Sequence, residues 1–183
     1  MRIFLAIKPD YEALQKLMHV SVKARKEAIS GNFTTIGNMH TTLVFIGEAT
    51  LEETKEVKAL VDRICYPKFV IETGNLGFFN NRGSKSILVW HIRKSPELES
   101  LVRDLSAKLE KAGFTLDKRE YRPHFTIARQ VAFPPGEKEQ IVRISENPFF
   151  IRCDRISLME SIRIGGKLVY REISGKDFSD SKE

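Results

Sequence analysis

The stretch Tyr121-Arg122-Pro123-His124-Phe125-Thr126-Ile127-Ala128-Arg129 repeats a pattern met earlier as Met39-His40-Thr41-Thr42-Leu43-Val44-Phe45, a His-x-Thr tripeptide inside an apolar, β-forming run. Nine of the 183 residues are Thr and four are His, so two such tripeptides arise by accident with a chance of roughly 0.015 before the shared context is counted. Read as strands, the two runs place side chains two apart on one face, so that His40 stands beside Thr42 and His124 beside Thr126.

An imidazole titrates near neutrality and gives or takes a proton, while a hydroxyl donates a hydrogen bond to an anionic oxygen. Two such pairs facing one another across a cleft suit an in-line displacement at phosphorus, with one His as base, the other as acid, and two Thr holding phosphoryl oxygens. A lone His on a half-buried strand is ordinarily structural, and His19 and His91, which lack the pattern, are set aside on that ground.

Outward from the two motifs, residues 3–7 read as a buried strand, 11–29 as a helix opened by Pro9-Asp10, and 34–46 as the first motif strand, with Gly37-Asn38 a turn or bulge just before its histidine. A second helix is expected at 51–65. Strands follow at 69–73 and 86–92, joined by a loop over 74–85, and Pro96 opens a third helix that Gly113 stops. After the second motif strand, Pro134-Pro135-Gly136 is a turn, and 149–160 with 166–173 form a hairpin turning at Gly165-Gly166. The order strand, long helix, His-x-Thr strand thus occurs twice, which predicts two related lobes facing each other. Periodicity alone leaves a parallel α/β sheet open as an alternative.

A hydrophobic content of 42% over 183 residues supports a sizeable core. The net charge of +6 and pI near 9.3 favour a polyanionic partner. Cys65 and Cys153 have neither zinc-site nor disulfide-framework spacing. The apolar opening ends at Lys8-Pro9-Asp10, too short for a signal peptide or a membrane span, so a cytoplasmic protein without membrane contact is expected. No His, Cys or carboxylate cluster has metal-ligand spacing, no Gly-rich nucleotide loop is present, and the Lys-x-Asp-Gly of covalent nucleotidyl ligases is absent.

His40-Thr41-Thr42-Leu43 and His124-Phe125-Thr126-Ile127 resemble the two signature motifs of the two-histidine phosphoesterases. Arg122-Pro123-His124 with Ala128-Arg129 is similar to the RNA 2′,3′-cyclic phosphodiesterase branch, historically called 2′-5′ RNA ligase. The resemblance implies an antiparallel α+β fold of two pseudo-symmetric lobes with helices packed outside and an active-site cleft between them, as one bilobal domain over residues 1–175; the polar, charged tail at 176–183 reads as frayed. The resemblance further implies opening of the 2′,3′-cyclic phosphate end of an RNA to a 2′-phosphate without a metal; a monomer without a cofactor is expected. His40 is then the proton donor and His124 the acceptor. The charges near each motif in sequence agree, because Lys118, Arg119, Arg122 and Arg129 surround His124 whereas Glu48 follows His40.

Arg122 and Arg129 are phosphate-binding candidates. Strict alternation puts Arg122 with His124 and Thr126 and turns Arg129 away, whereas the resemblance makes Arg129 the phosphate contact; a bulge after Ile127 would reconcile the two. Phe4, Phe79 and Tyr170 are candidates to stack on a base. ATP-independent 2′-5′ joining, a phosphodiesterase acting on a small cyclic nucleotide, and a non-catalytic RNA-binding module remain as alternatives.

Overall fold

The computed structural model describes residues 1–79, 85–144 and 148–180. Among these described residues nine strands form one sheet: β1 (Arg2–Ile7), β2 (Ser30–Phe33), β3 (Thr41–Glu48), β4 (Phe69–Phe79), β5 (Ser86–Ile92), β6 (His124–Ala132), β7 (Phe150–Cys153), β8 (Arg155–Ile164) and β9 (Lys167–Asp177). Their order is β7-β4-β5-β6-β3-β1-β8-β9, with β2 also on β6, and these strand pairs are antiparallel. That removes the parallel alternative. Four helices, α1 (Tyr11–Glu27), α2 (Leu51–Asp62), α3 (Pro96–Lys111) and α4 (Glu137–Arg143), bury one stripe each against the sheet, with Leu17, Val57, Leu101 and Ile141 in the same core cluster as Ile3, Leu88 and Phe125.

Helix starts follow local chemistry. Asp10 accepts the Ala13 amide at 3.0 Å, Thr50 and Glu53 form a reciprocal capping box, and Ser95 caps α3 ahead of Pro96. Gly165 and Gly166, with φ of 56° and 77°, supply the left-handed pair that a two-residue turn between β8 and β9 demands.

The repeated order of elements is real. β1, α1, β3 and α2 answer to β5, α3, β6 and α4, and the two halves meet where β3 touches β6 through the single pair Thr41 and Phe125. β1 is buried on both faces: Ile3, Leu5 and Ile7 face the helices, whereas Phe4 and Ala6 join Met159 and Tyr170 in a small second cluster.

Three expectations need correction. Residues 74–79 are strand rather than loop, because β4 continues to Phe79 in register with β5; Trp90 Nε1 donates to the Gly74 carbonyl at 2.9 Å where that register shifts. The expected loop's residues 80–84 lie outside the described residues. Ser30-Gly31-Asn32 does more than end α1, since it pairs with β6 as β2. The tail is not frayed at 176–180: Lys176 and Asp177 complete β9, Ser179 bridges Pro67, and Phe178, 3% exposed, packs among Tyr66 and Phe69 at ring distances of 5.7 and 6.0 Å.

Phe178→Ala should therefore lower unfolding free energy by about 3 kcal/mol, as a buried ring-to-methyl change does. Urea unfolding should shift to lower concentration with an unchanged slope. A shift equivalent to under about 1 kcal/mol would mean that the ring adds little to the core.

Candidate active site

The Thr41 and Phe125 pair fixes the geometry of both motifs. Both side chains are fully buried, so their chain neighbours point to the opposite face. One step along each antiparallel strand from that pair, His40 comes opposite Thr126 and Thr42 opposite His124. The four side chains alternate around the local twofold axis as His, Thr, His, Thr, each partly accessible.

The two imidazoles are held alike. His40 Nδ1 lies 2.7 Å from the Asn38 carbonyl, and His124 Nδ1 lies 2.7 Å from the Arg122 carbonyl. A carbonyl only accepts, so each Nδ1 carries the proton and each Nε2 is the nitrogen left to exchange protons. The motif threonines are anchored reciprocally: Thr34 Oγ1 donates to the Thr126 carbonyl at 2.7 Å, and Tyr121 Oη donates to the Thr42 carbonyl at 3.1 Å. In each case the segment preceding one motif ties down the other.

Arg129 reaches the same face because the strand is bulged. Across β5 and β6, Leu88 pairs with Ala128 but Val89 pairs with Thr126, which leaves Ile127 as an extra residue. Ile127 and Ala128 then both face the core, fully buried, and Arg129 emerges on the side of His124 and Thr126. β3 carries the matching bulge: Leu5 pairs with Val44 and Ala6 with Thr42, leaving Leu43 extra and bringing Phe45 out. Arg129 makes no ion pair or side-chain hydrogen bond among the described residues. Its charge acts on both His40 and His124.

Arg122 is placed otherwise than alternation suggests. Residues 121–123 are not strand, and the guanidinium is exposed and paired with Glu120 at 2.8 Å, so what Arg122 gives the site is its carbonyl. Arg119 is likewise paired with Asp117. Phe4 is 3% exposed and packs against His40 and Tyr170, at 4.9 and 5.1 Å between rings, so it supports the imidazole and leaves no face for a base. Tyr170 stands edge-on to His40 at 4.9 Å, and Phe79 edge-on to His124 at 4.9 Å, both partly accessible.

Two neighbours were not legible as site residues. Asn38 anchors the turn before His40 to β9, its amide donating to the Leu168 carbonyl at 2.8 Å and accepting the Tyr170 amide at 2.9 Å. Its signal was the Gly37-Asn38 turn. His91, set aside in sequence, is the register partner of His124 and packs edge-on against Phe79 at 5.3 Å. Only the strand pairing reveals it.

Electrostatics differ from what sequence neighbours suggest. Burial lowers His40 to about 4, with the Asn38 carbonyl pulling back and the charges of Arg129, His124 and Lys8 pushing further down. His124 is lowered too, mainly by burial, with His91 and Arg129 adding to it. Glu48, the supposed partner of His40, turns to the Met1 ammonium at 3.8 Å. The charge argument that made His40 the more readily protonated ring therefore fails, since burial outweighs the neighbouring charges.

A cleft of about 730 Å³ opens over His40, Thr42, Arg129 and Tyr170 and continues past Phe45 and Arg2 to Arg163 on the tip of β8. Among the described residues no three His, Cys, Asp or Glu side chains come together as a metal-ligand set, and no helix is long and apolar enough to cross a membrane.

Replacing Arg129 by Met should raise the pKa of both His40 and His124 in an NMR titration, because a cation that lowers each is removed. His40 should stay well below 6.5, since burial is its larger cause. Unchanged values for both rings would place the guanidinium away from the pair.

The chain is 24% identical over 166 residues to a Thermotoga maritima protein named RNA 2′,3′-cyclic phosphodiesterase, covering 88% of this chain and 87% of that one. A Bacillus subtilis protein of the same name is 30% identical over 136 residues, 73% of each. Its fold matches a crystal structure from Thermus thermophilus over the full length of both chains, with a TM-score of 0.81 at 21% identity. The family model described as the 2′-5′ RNA ligase superfamily matches residues 19–164, a span that holds both bulged His-x-Thr strands, and the chain belongs to that superfamily.

Proposed function

We propose that this chain is a monomeric, cytoplasmic RNA 2′,3′-cyclic phosphodiesterase in which one bilobal domain hydrolyses the cyclic end to a 2′-phosphomonoester without a metal ion. The observation that carries the reading is the alternating ring of His40, Thr126, His124 and Thr42, with both Nε2 atoms available and Arg129 beside them. The names of the relatives support the same reaction.

His124 Nε2 takes a proton from water as the oxygen bonds to phosphorus. The bond from phosphorus to the 3′ oxygen breaks, and His40 Nε2 gives that oxygen a proton. Thr42 and Thr126 hydroxyls and the Arg129 guanidinium hold the non-bridging oxygens, whose charge grows in the transition state. These roles for His40 and His124 follow the family resemblance. In the free site both imidazoles lie below the ordinary value. The proton on the acid must therefore be held there by the substrate, whose phosphate anion opposes the burial that expels it. If the 5′-hydroxyl of a second strand takes the place of water in the same displacement, the product is a 2′-5′ linkage made without ATP, and product analysis on an oligoribonucleotide with a cyclic end measures hydrolysis and joining together.

Three outcomes test the proposal. Hydrolysis should survive excess chelator and give the 2′-phosphate; strict dependence on a divalent ion, or 3′-phosphate alone, would overturn the mechanism. His40→Ala should recover much of its activity on a nitrophenyl phosphodiester, whose leaving group needs no proton, and His124→Ala should not. The opposite pattern exchanges the roles, and modest loss of affinity without loss of turnover in either variant would leave only a binding module.

The pH profile provides the third. One imidazole must be protonated and the other neutral, and both free-site values lie below 6.5. As pH rises above the higher of them the active form is lost, so kcat/KM for a cyclic mononucleotide should fall about tenfold per pH unit through the neutral range. The bound anion raises the acid's pKa, so kcat should fall at higher pH. A flat kcat/KM from pH 6 to 8 would contradict this electrostatic account.

A further inference from the structure

The sheet sets one further basic side chain beside each motif histidine. His91 on β5 is the direct register partner of His124, which brings their Cβ atoms about 5 Å apart on the cleft face. The local twofold axis repeats this at the other motif, because Lys8, one step beyond the Ile7 and Thr41 pair, comes opposite His40. Lys8 and His91 thus hold equivalent places, and the fold treats them differently. The Lys8 ammonium is bound by Glu172 at 2.8 Å, and Arg155 and Ser157 hold the same carboxylate at 3.0 Å. His91 meets a ring and a glycine instead.

The His91 imidazole is fitted into its place by β4. A Cβ added to Gly77 would stand 2.7 Å from His91 Nε2, so glycine at this position is what lets the ring lie against the strand. Phe79, two residues on along the same face, stands edge-on to His91 at 5.3 Å and to His124 at 4.9 Å, so that one phenyl ring packs against both imidazoles. Among the described residues, the charged and titratable groups next to His91 are His124, Arg122, which is bound to Glu120, and Arg93, which is bound to Glu72 of β4. Those next to His124 are His91, Arg129, His40 and the Tyr121 phenol on the Thr42 carbonyl.

We infer that His91 is a positioning residue for the proposed reaction, a third imidazole that acts through His124 by bracing Phe79 against it and by standing beside it as a cation when protonated. The inference rests on the reading of His124 as the proton acceptor. Burial is the larger cause of lowering at both motif rings, but the flanking charges differ: Lys8, already held by Glu172, acts least of the charges on His40, whereas His91 acts most of the charges on His124. Burial and Arg122 lower His91 as well, so His91 and His124 take up protons over the same acid range and titrate as a pair. A proton on His91 then repels one from His124 and keeps the acceptor neutral to lower pH.

The test joins a histidine NMR titration of the free protein to kcat/KM for adenosine 2′,3′-cyclic phosphate between pH 5 and pH 8. His91→Gln should raise the His124 midpoint and turn a broadened curve into that of a single proton, with His40 moved less. Gly77→Ala, which pushes the His91 ring aside, should raise the His124 midpoint in the same direction, and His91→Lys, which keeps a cation, should hold it at or below the wild-type midpoint. In turnover, His91→Gln should lie about threefold below the wild type at pH 5, the equivalent of half a unit at the acceptor, and the deficit should close toward pH 8, where His124 is neutral in either protein. An unmoved His124 midpoint in His91→Gln, or a loss of turnover equal at every pH and shared by His91→Lys, would overturn the inference and leave His91 a packing residue. If no cyclic phosphate is hydrolysed, the proposed reaction fails on its own, and the titration, which needs no substrate, still decides the role of His91.

Discussion

A regular strand gives a cleft every second side chain, and the site on this protein needs more than that allowance. The bulges at Ile127 and Leu43 resolve the conflict. Each sends two consecutive apolar residues into the core, Ile127 with Ala128 and Leu43 with Val44, and so turns the next residue outward beside the motif it follows. Without the first bulge, Arg129 would point into the helix-covered core as an uncompensated cation, which its energetics forbid. The active face is thus set by main-chain register as much as by the residues that line it.

The histidines show the competition between positioning and charge. Each ring is fixed by a carbonyl two residues back, and His40 is further packed by Phe4 and Tyr170. That packing orients Nε2, and it also removes water, lowering His40 to about 4. An anion beside such a ring would raise it again, so its protonation depends on the charge placed next to it. Arg129 adds to the same lowering, since a guanidinium near both rings repels the proton from each.

How far the sequence reaches follows from the range of each interaction. The doubled His-x-Thr pattern, the helix starts at Asp10 and Pro96, and the Gly165-Gly166 turn are local, and all are legible. β2 was missed because Ser30-Gly31-Asn32 has no apolar pattern and becomes strand only by pairing with β6. α4, a short helix, was hidden behind the Pro134-Pro135-Gly136 turn that precedes it. Arg122 and Arg129 could not be ranked without the register between β5 and β6. The error at His40 has the same origin: charges counted along the chain omit burial, which is contributed by β1 and β9 from distant sequence.

The local twofold axis duplicates the backbone but not the chemistry. His, Thr and the bulge occur in both halves, yet the residue after the bulge is Arg129 in one and Phe45 in the other. Two guanidiniums at those positions would place like charges around one phosphate and lower both imidazoles further. An aromatic ring at the second position avoids that repulsion and keeps the cation Arg2 one step outward, 5.0 Å from the ring. The asymmetry gives a symmetric pair of histidines unlike surroundings, with a guanidinium after one motif and an exposed aromatic ring after the other.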